Sequence, residues 1–132
     1  MSSIMPTYKR LPVQFVRGQG AWLYDTSDTA YLDALTGIAV TGLGHCHPAV
    51  SAALAKQAQT LMHCSNLYHI PTQEVLAETL CRIAGMDAVF FGNSGAEANE
   101  AAIKLARLYG HQNGIESPTI IVLEHAFHGR TM

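Results

Sequence analysis

Ala88-Val89-Phe90-Phe91-Gly92-Asn93-Ser94-Gly95-Ala96-Glu97-Ala98-Asn99-Glu100 decides how the chain is read. Residues 88–91 are a short apolar run of the kind that forms a strand, and Gly92-Asn93 ends it. Ser94 followed by Glu97 is a capping box, which places the start of a helix at Ser94. Gly92 and Gly95 let the backbone come close to a ligand. The N–H groups of Gly95 and Ala96 lie at the positive end of that helix, where an anion, most readily a phosphate, is favoured. The same spacing also suits a capped helix after a tight turn with nothing bound. No G-x-G-x-x-G and no Walker-type lysine accompanies it, which disfavours a dinucleotide or a nucleoside triphosphate.

Downstream, the helix is expected to run to about Tyr109 or Gly110, with Ala98, Ala102, Leu105 and Tyr109 as its apolar stripe. Glu100 and Lys104 would pair at i,i+4 on the wet side. Thr119 to Leu123 is continuous and rich in β-branched residues, as buried parallel strands are. Strand, helix and strand in that order make a βαβ unit, so this portion reads as α/β. Ala126-Phe127-His128-Gly129-Arg130-Thr131 follows the last strand. In an open α/β sheet it should face the same crevice as the Ser94 turn. An aromatic ring there can stack on a flat cofactor, and Arg130 can clamp a carboxylate with its guanidinium fork. The bland alternative puts Phe127 in the core and Arg130 in solvent.

Upstream, Val13–Val16 and Ala21–Tyr24 flank Gly18-Gln19-Gly20, which predicts a hairpin. Asp25–Asp28 is a second turn and Tyr31–Asp33 a third short strand, giving a small antiparallel meander. From Pro48 the period becomes helical through Val50, Leu54, Ala58 and Leu61. A further helix follows Pro71, with Val75, Leu76, Thr79, Leu80 and Ile83 on one stripe and Gly85 as its C-terminal cap. Gly42-Leu43-Gly44-His45-Cys46-His47-Pro48 invites a metal reading, but adjacent residues point in different directions and no second ligand pair follows. It reads instead as a glycine-rich approach to a helix, with His47 or its neighbour near the cap. The stretch Cys64–Pro71 is either an ordinary connector or a substrate contact through Ser65, Asn66 and Tyr68. The expected division is a meander segment over 1–45 and the first part of a larger α/β domain over 46–132.

Composition narrows the class. The 132 residues are 48% hydrophobic and only 14% charged, so either a buried sheet dominates or one face expects a partner. A net charge of -2 argues against a nucleic-acid footprint. Residues 1–10 lack the apolar core of a signal peptide, and no run reaches the roughly 18–20 apolar residues that span a bilayer. The odd number of cysteines (Cys46, Cys64, Cys81) reads as free thiols. A soluble cytoplasmic protein is expected.

Taken in register, these segments resemble a known family. Phe15–Gly18, Trp22–Asp25, Tyr31–Asp33, Gly44–Pro48, the Asn93–Glu100 octet and Phe127–Thr131 occur in the order and spacing of the class-III, fold-type-I pyridoxal-phosphate aminotransferases, over their N-terminal third. The resemblance implies that Gly95 and Ala96, with Ser94, bind the phosphate of pyridoxal 5'-phosphate (PLP). It implies that Phe127 stacks on the pyridine ring beside His128, and that Arg130 pairs with the substrate α-carboxylate. Asn66 and Tyr68 become substrate-contact candidates. Gly37-Ile38-Ala39-Val40 fits the acetylornithine branch, because the ornithine branch that it resembles carries a tyrosine at about Ile38. N-acetylornithine and 2-oxoglutarate are then the implied substrates, with succinyldiaminopimelate a further one, and a homodimer the implied assembly. Ornithine, 4-aminobutyrate or diaminobutyrate are the rival substrates, and a non-catalytic phosphate-binding module is the rival of another class. Two departures stand out. Asp28 occupies a turn position where the family has glycine. The Schiff-base lysine, the aspartate partner of the pyridine nitrogen and the small domain are expected beyond Met132, and none of Lys9, Lys56 and Lys104 sits where that lysine would come from. The chain alone is therefore expected not to transaminate, and to expose part of a core.

Overall fold

A computed structural model describes residues 3–131. The chain divides into two compact units, 1–65 and 66–132. Together they are α/β, with one three-stranded antiparallel sheet and four helical elements among the described residues.

In the first unit, β1 (Phe15–Gln19), β2 (Trp22–Asp25) and β3 (Ala30–Leu32) form the expected meander in the order β1-β2-β3. The first hairpin is tighter than its glycines suggested, because β1 begins at Phe15 and continues through Gly18 and Gln19, leaving only Gly20-Ala21 to turn. The reason lies at His45. A side chain on Gly18 would come within 2.7 Å of the His45 Cγ, so glycine is needed in the strand for close packing rather than for turning. Gly20 and His45 exchange backbone hydrogen bonds of 3.0 and 2.7 Å across this contact. Asp28 adopts the left-handed conformation (φ 61°) that aspartate tolerates, and its carboxylate receives Arg17 Nη2 at 2.6 Å. That guanidinium also lies 3.5 Å over the Tyr24 ring. The Asp25 carboxylate accepts from the Thr29 and Ser27 amides and from the Tyr31 hydroxyl, which holds its pKa below the ordinary carboxylate value.

Between meander and helix the chain does something the pattern did not announce. A single turn, α1 (Thr36–Ala39), has positive φ at Thr36, Gly37, Ile38 and Ala39. Each non-glycine residue there costs about 1–2 kcal/mol, so the turn needs a restraint. Asp33 supplies it. Its carboxylate accepts the Leu35 and Thr36 amides at 3.1 and 2.8 Å and meets the His45 Nε2 at 2.7 Å. Helix α2 (Pro48–Ala58) starts on its proline as expected. His47 occupies the cap position, but its side chain makes no cap bond. The imidazole engaged in this stretch is that of His45. The helix also stops three residues short of Leu61, whose N–H closes a turn on the Gln57 carbonyl.

In the second unit, α3 (Pro71–Ala84) ends on Gly85 at φ 66°, whose N–H donates to the Cys81 carbonyl, the expected glycine cap. Helix α4 (Gly95–Gln112) starts on Ser94 as expected. The two strands of the βαβ unit are not formed: 88–91 and 119–123 carry no ladder hydrogen bonds. A strand exists only through a neighbour, and these two segments do not pair with each other. The apolar stripes differ as well. Leu105 and Tyr109 of α4 are exposed, and its packed side carries half-buried Ala96, Glu100 and Ile103. Farther along, buried Gly110 lies so close to Pro118 that a Cβ would stand 2.6 Å from its Cγ. Alanines surround much of α4, so periodicity left its rotation open, and the Gly110–Pro118 contact sets it. Glu100 makes no ion pair with Lys104. Its carboxylate accepts the Thr131 hydroxyl at 3.4 Å.

No apolar side chain among the described residues is buried, and Ile121 and Leu123 are 95% and 84% exposed. The chain's accessible surface is 12165 Å², against about 6,800 Å² for a folded monomer of its mass. The apolar side chains are therefore displayed rather than enclosed. Cys46, Cys64 and Cys81 form no disulfides. No helix among the described residues is long and apolar enough to cross a membrane.

Candidate functional site: the first turn of α4 and the loop laid on it

The turn at Ser94 is built by reciprocal capping. Ser94 Oγ accepts the Glu97 amide at 3.2 Å, and the Glu97 carboxylate reaches back to the Asn93 amide. The return bond lands one residue earlier than the usual capping box, which extends the ordered turn to Asn93. Gly92 eases the packing here, since a Cβ there would meet the Glu97 Cβ at a tight 3.3 Å. Gly95 and Ala96 precede the first intrahelical donor, the Ala98 N–H that bonds the Ser94 carbonyl at 3.1 Å, so their own N–H groups have no carbonyl in the helix to meet and face outward from its end. A Cβ on Gly95 would meet nothing within 4 Å, so the space before the turn is open. Backbone donors, the helix dipole and free approach are together the features that an anion cradle requires.

The second sequence-predicted element arrives at this same turn. Gly129, at φ 129°, is half-buried against Ala96, and a Cβ on it would stand 2.8 Å from the Ala96 Cβ. One turn farther along α4, Thr131 donates to Glu100. The loop 126–131 is thus laid along the start of α4, although the strands that were expected to deliver both are not paired. Phe127 is 76% exposed and is not a core residue. The Arg130 Cζ lies 5.9 Å from the Phe127 ring centroid, which puts an aromatic face and a guanidinium side by side. Phe127 and His128 line a groove of about 520 Å³ with Asn99, Ala102, Ile103 and Ile120.

Asn66 and Tyr68 lie elsewhere in this unit. They line a hollow of about 390 Å³ with Gln73, Glu74, Phe90 and Phe91, which shares no lining residue with the Phe127 groove. The hollow borders the segment that leads into Gly92. In the first unit, sequence reading missed the Asp33–His45 pair. The Asp33 side chain is only 7% exposed, and the His45 hydrogen bond, followed by the Thr36 amide, holds its pKa below the ordinary carboxylate value. An aspartate closing a strand ahead of a glycine-rich loop was the available signal. No cluster of three or more His, Cys, Asp or Glu residues among the described residues is placed to hold a metal.

The sequence profile of the class-III aminotransferases matches residues 4–132. The chain belongs to that family. Its members are PLP-dependent transferases of nitrogenous groups, and the solved relatives are of fold type I. The chain is 63% identical over 132 residues to the acetylornithine aminotransferase of Nitrosomonas europaea, covering all of this chain and 34% of that one. It is 51% identical over 131 residues to acetylornithine aminotransferase 1 of Bordetella pertussis, covering 99% and 33%. Among solved structures it is similar to the N-acetylornithine aminotransferase of Stenotrophomonas maltophilia, at TM-score 0.76 and 44% identity over 81% of this chain and 29% of that one. It is also similar to the ornithine aminotransferase of Toxoplasma gondii, at TM-score 0.82 and 32% identity over 88% and 27%. The chain spans about a third of the length of the curated relatives it matches. For a class-III aminotransferase the open cradle at Gly95 and the adjacent aromatic–guanidinium pair suit the phosphate and ring of PLP.

Proposed function

We propose that this chain is the N-terminal portion of a cytoplasmic aminotransferase that moves the amino group of N-acetylornithine to 2-oxoglutarate. One observation carries the reading. Gly129 seats on Ala96, so the Phe127–Arg130 loop and the anion cradle form one site rather than two unrelated loops. Bound PLP supplies an electron sink that draws charge from the amino-acid α-carbon. The residues of this chain hold and orient. Gly95 and Ala96 donate to the phosphate through their backbones, with Ser94 fixing the turn that aims them. Phe127 covers the ring face, His128 flanks it, and Arg130 pairs with the α-carboxylate of each substrate in turn. Asn66 and Tyr68 contact the substrate from the 66–70 segment.

Identity to relatives named for acetylornithine supports that branch, as does Ile38, an aliphatic side chain where the ornithine branch has tyrosine. Residues 46–132 would begin the cofactor-binding large domain behind the 1–45 meander. The exposed apolar segment 119–123 would be covered by the rest of the large domain in the whole protein, which is expected to be a homodimer. Lys104 lies nine residues beyond Gly95, about 14 Å along α4, so it is not the cofactor lysine. The test uses the complete protein loaded with PLP. Glutamate formation from 2-oxoglutarate is measured with N-acetylornithine, ornithine, 4-aminobutyrate, diaminobutyrate and succinyldiaminopimelate. The highest kcat/KM is expected with N-acetylornithine. A higher value with ornithine would overturn the branch, and absence of PLP binding would overturn the site. The 132-residue chain alone is expected to give no turnover.

A further inference from the structure

We propose that Gly129 is a positioning residue for the cofactor site, its missing side chain letting the Phe127–Arg130 loop seat on Ala96. The inference rests on the reading of the Ser94 turn as a PLP cradle, and adds what holds the rest of the site against it. Carbon atoms in ordinary contact stand about 3.5–4.0 Å apart. A Cβ at position 129 would stand 2.8 Å from the Ala96 Cβ and 3.4 Å from its Cα. The neighbour is no flexible side-chain end but the second residue of a helix, bonded into the capped turn, so it cannot swing aside. The φ of 129° independently disfavours any side chain there.

Either way of relieving the overlap damages the site. If the loop lifts, Phe127 and Arg130, on either side of Gly129, leave the cradle with it. If the helix turn yields, the Ala96 N–H moves. The contact is also not isolated. Thr131 donates to Glu100, four residues beyond Ala96 on the same helix face, so the loop is fastened at two successive turns. Gly129 is therefore the hinge point of a two-point attachment, with the ring-covering Phe127 two residues before it and the carboxylate-binding Arg130 immediately after it.

The experiment uses the complete protein and four variants: Gly129→Ala, Ala96→Val, Gly129→Ala combined with Ala96→Gly, and Gly114→Ala. Gly114 is the control, because it also has positive φ (79°) but would place a Cβ in open space at the far end of α4. Two readouts are taken: PLP affinity of the apoprotein, and hydrogen exchange of the 94–97 amides with no cofactor present. G129A and A96V are each expected to weaken PLP binding about tenfold or more and to speed exchange of the Glu97 amide, the one that Ser94 Oγ holds in the capped turn. Removing the Ala96 methyl in the double variant should recover a substantial part of the G129A loss, the backbone strain accounting for the remainder. G114A should keep PLP affinity within about twofold of the parent. Parental PLP affinity and exchange in G129A, or in A96V if G129A does not fold, would overturn the proposal. So would a double variant no better than G129A, or a G114A loss as large as that of G129A. A parent protein that binds no PLP would refute the cradle instead, and the exchange comparison would still decide whether Gly129 seats the loop.

Discussion

Replacing Ser94 separates helix capping from anion binding, because alanine and aspartate act on the two in different ways. Ser94 Oγ accepts the Glu97 amide in an exposed turn. Removing it with Ser94→Ala costs about 1 kcal/mol of local helix stability. The Glu97-to-Asn93 bond survives, so the turn frays rather than unwinds. If the lost order is recovered each time PLP binds, its affinity falls about fivefold, the factor that 1 kcal/mol represents at RT near 0.6 kcal/mol. Ser94→Asp caps as well as serine and adds a favourable charge at the helix N-terminus, so the apoprotein is expected to melt at or above the parental temperature. With a phosphate in the cradle, the new carboxylate lies beside a group carrying about two negative charges. A unit pair about 5 Å apart interacts by roughly 3 kcal/mol at an effective dielectric of 20. Screening at an open site reduces this to about 1–2 kcal/mol, or about five- to thirtyfold in PLP affinity. The assay pairs thermal melting of the apoprotein with PLP titration of the complete protein. Undiminished PLP affinity in S94D, at unchanged stability, would refute the placement of the phosphate at this turn.

Arg130→Lys replaces a two-pronged clamp by a point charge, so kcat/KM for the amino acid should fall about a hundredfold while PLP affinity changes far less, as read by steady-state kinetics and cofactor titration. Asp33 has a folded pKa below its unfolded value of about 3.9, so its contribution to stability is present above pH 4 and disappears as pH falls through the folded pKa. A pH series of melting temperatures should show this acid loss in the parent and a smaller one in Asp33→Asn. Gly110→Ala gains helix propensity of about 1 kcal/mol but would force a Cβ to 2.6 Å from Pro118. Overpacking of about 1–3 kcal/mol should prevail, lowering the melting temperature, and Pro118→Gly in the same chain, which removes both the Cγ and the Cβ that would be met, should recover part of the loss.

The helices were legible because their start and stop signals are local: Pro48 and Pro71 at first positions, Ser94 with Glu97, and Gly85 as a left-handed cap. The meander was legible too, but not its first turn, because Gly18 serves a contact with His45 that lies far away in sequence. The same non-locality hid the Asp33–His45 pair and the left-handed turn at Thr36–Ala39 that it restrains. The 88–91 and 119–123 runs have the composition of buried strands, yet composition cannot provide the neighbours that a ladder requires. The two elements of the candidate site were legible singly from cap chemistry and from an Arg beside an aromatic. What fastens them together was not, since Gly129 against Ala96 and Thr131 against Glu100 bridge some thirty residues of sequence.

The most direct test of the central claim is the crystal structure of the complete protein with PLP bound. The phosphate oxygens are expected within about 3 Å of the Gly95 and Ala96 backbone nitrogens, with the Phe127 ring over the pyridine. A phosphate bound elsewhere, with those two amides facing solvent, would contradict it.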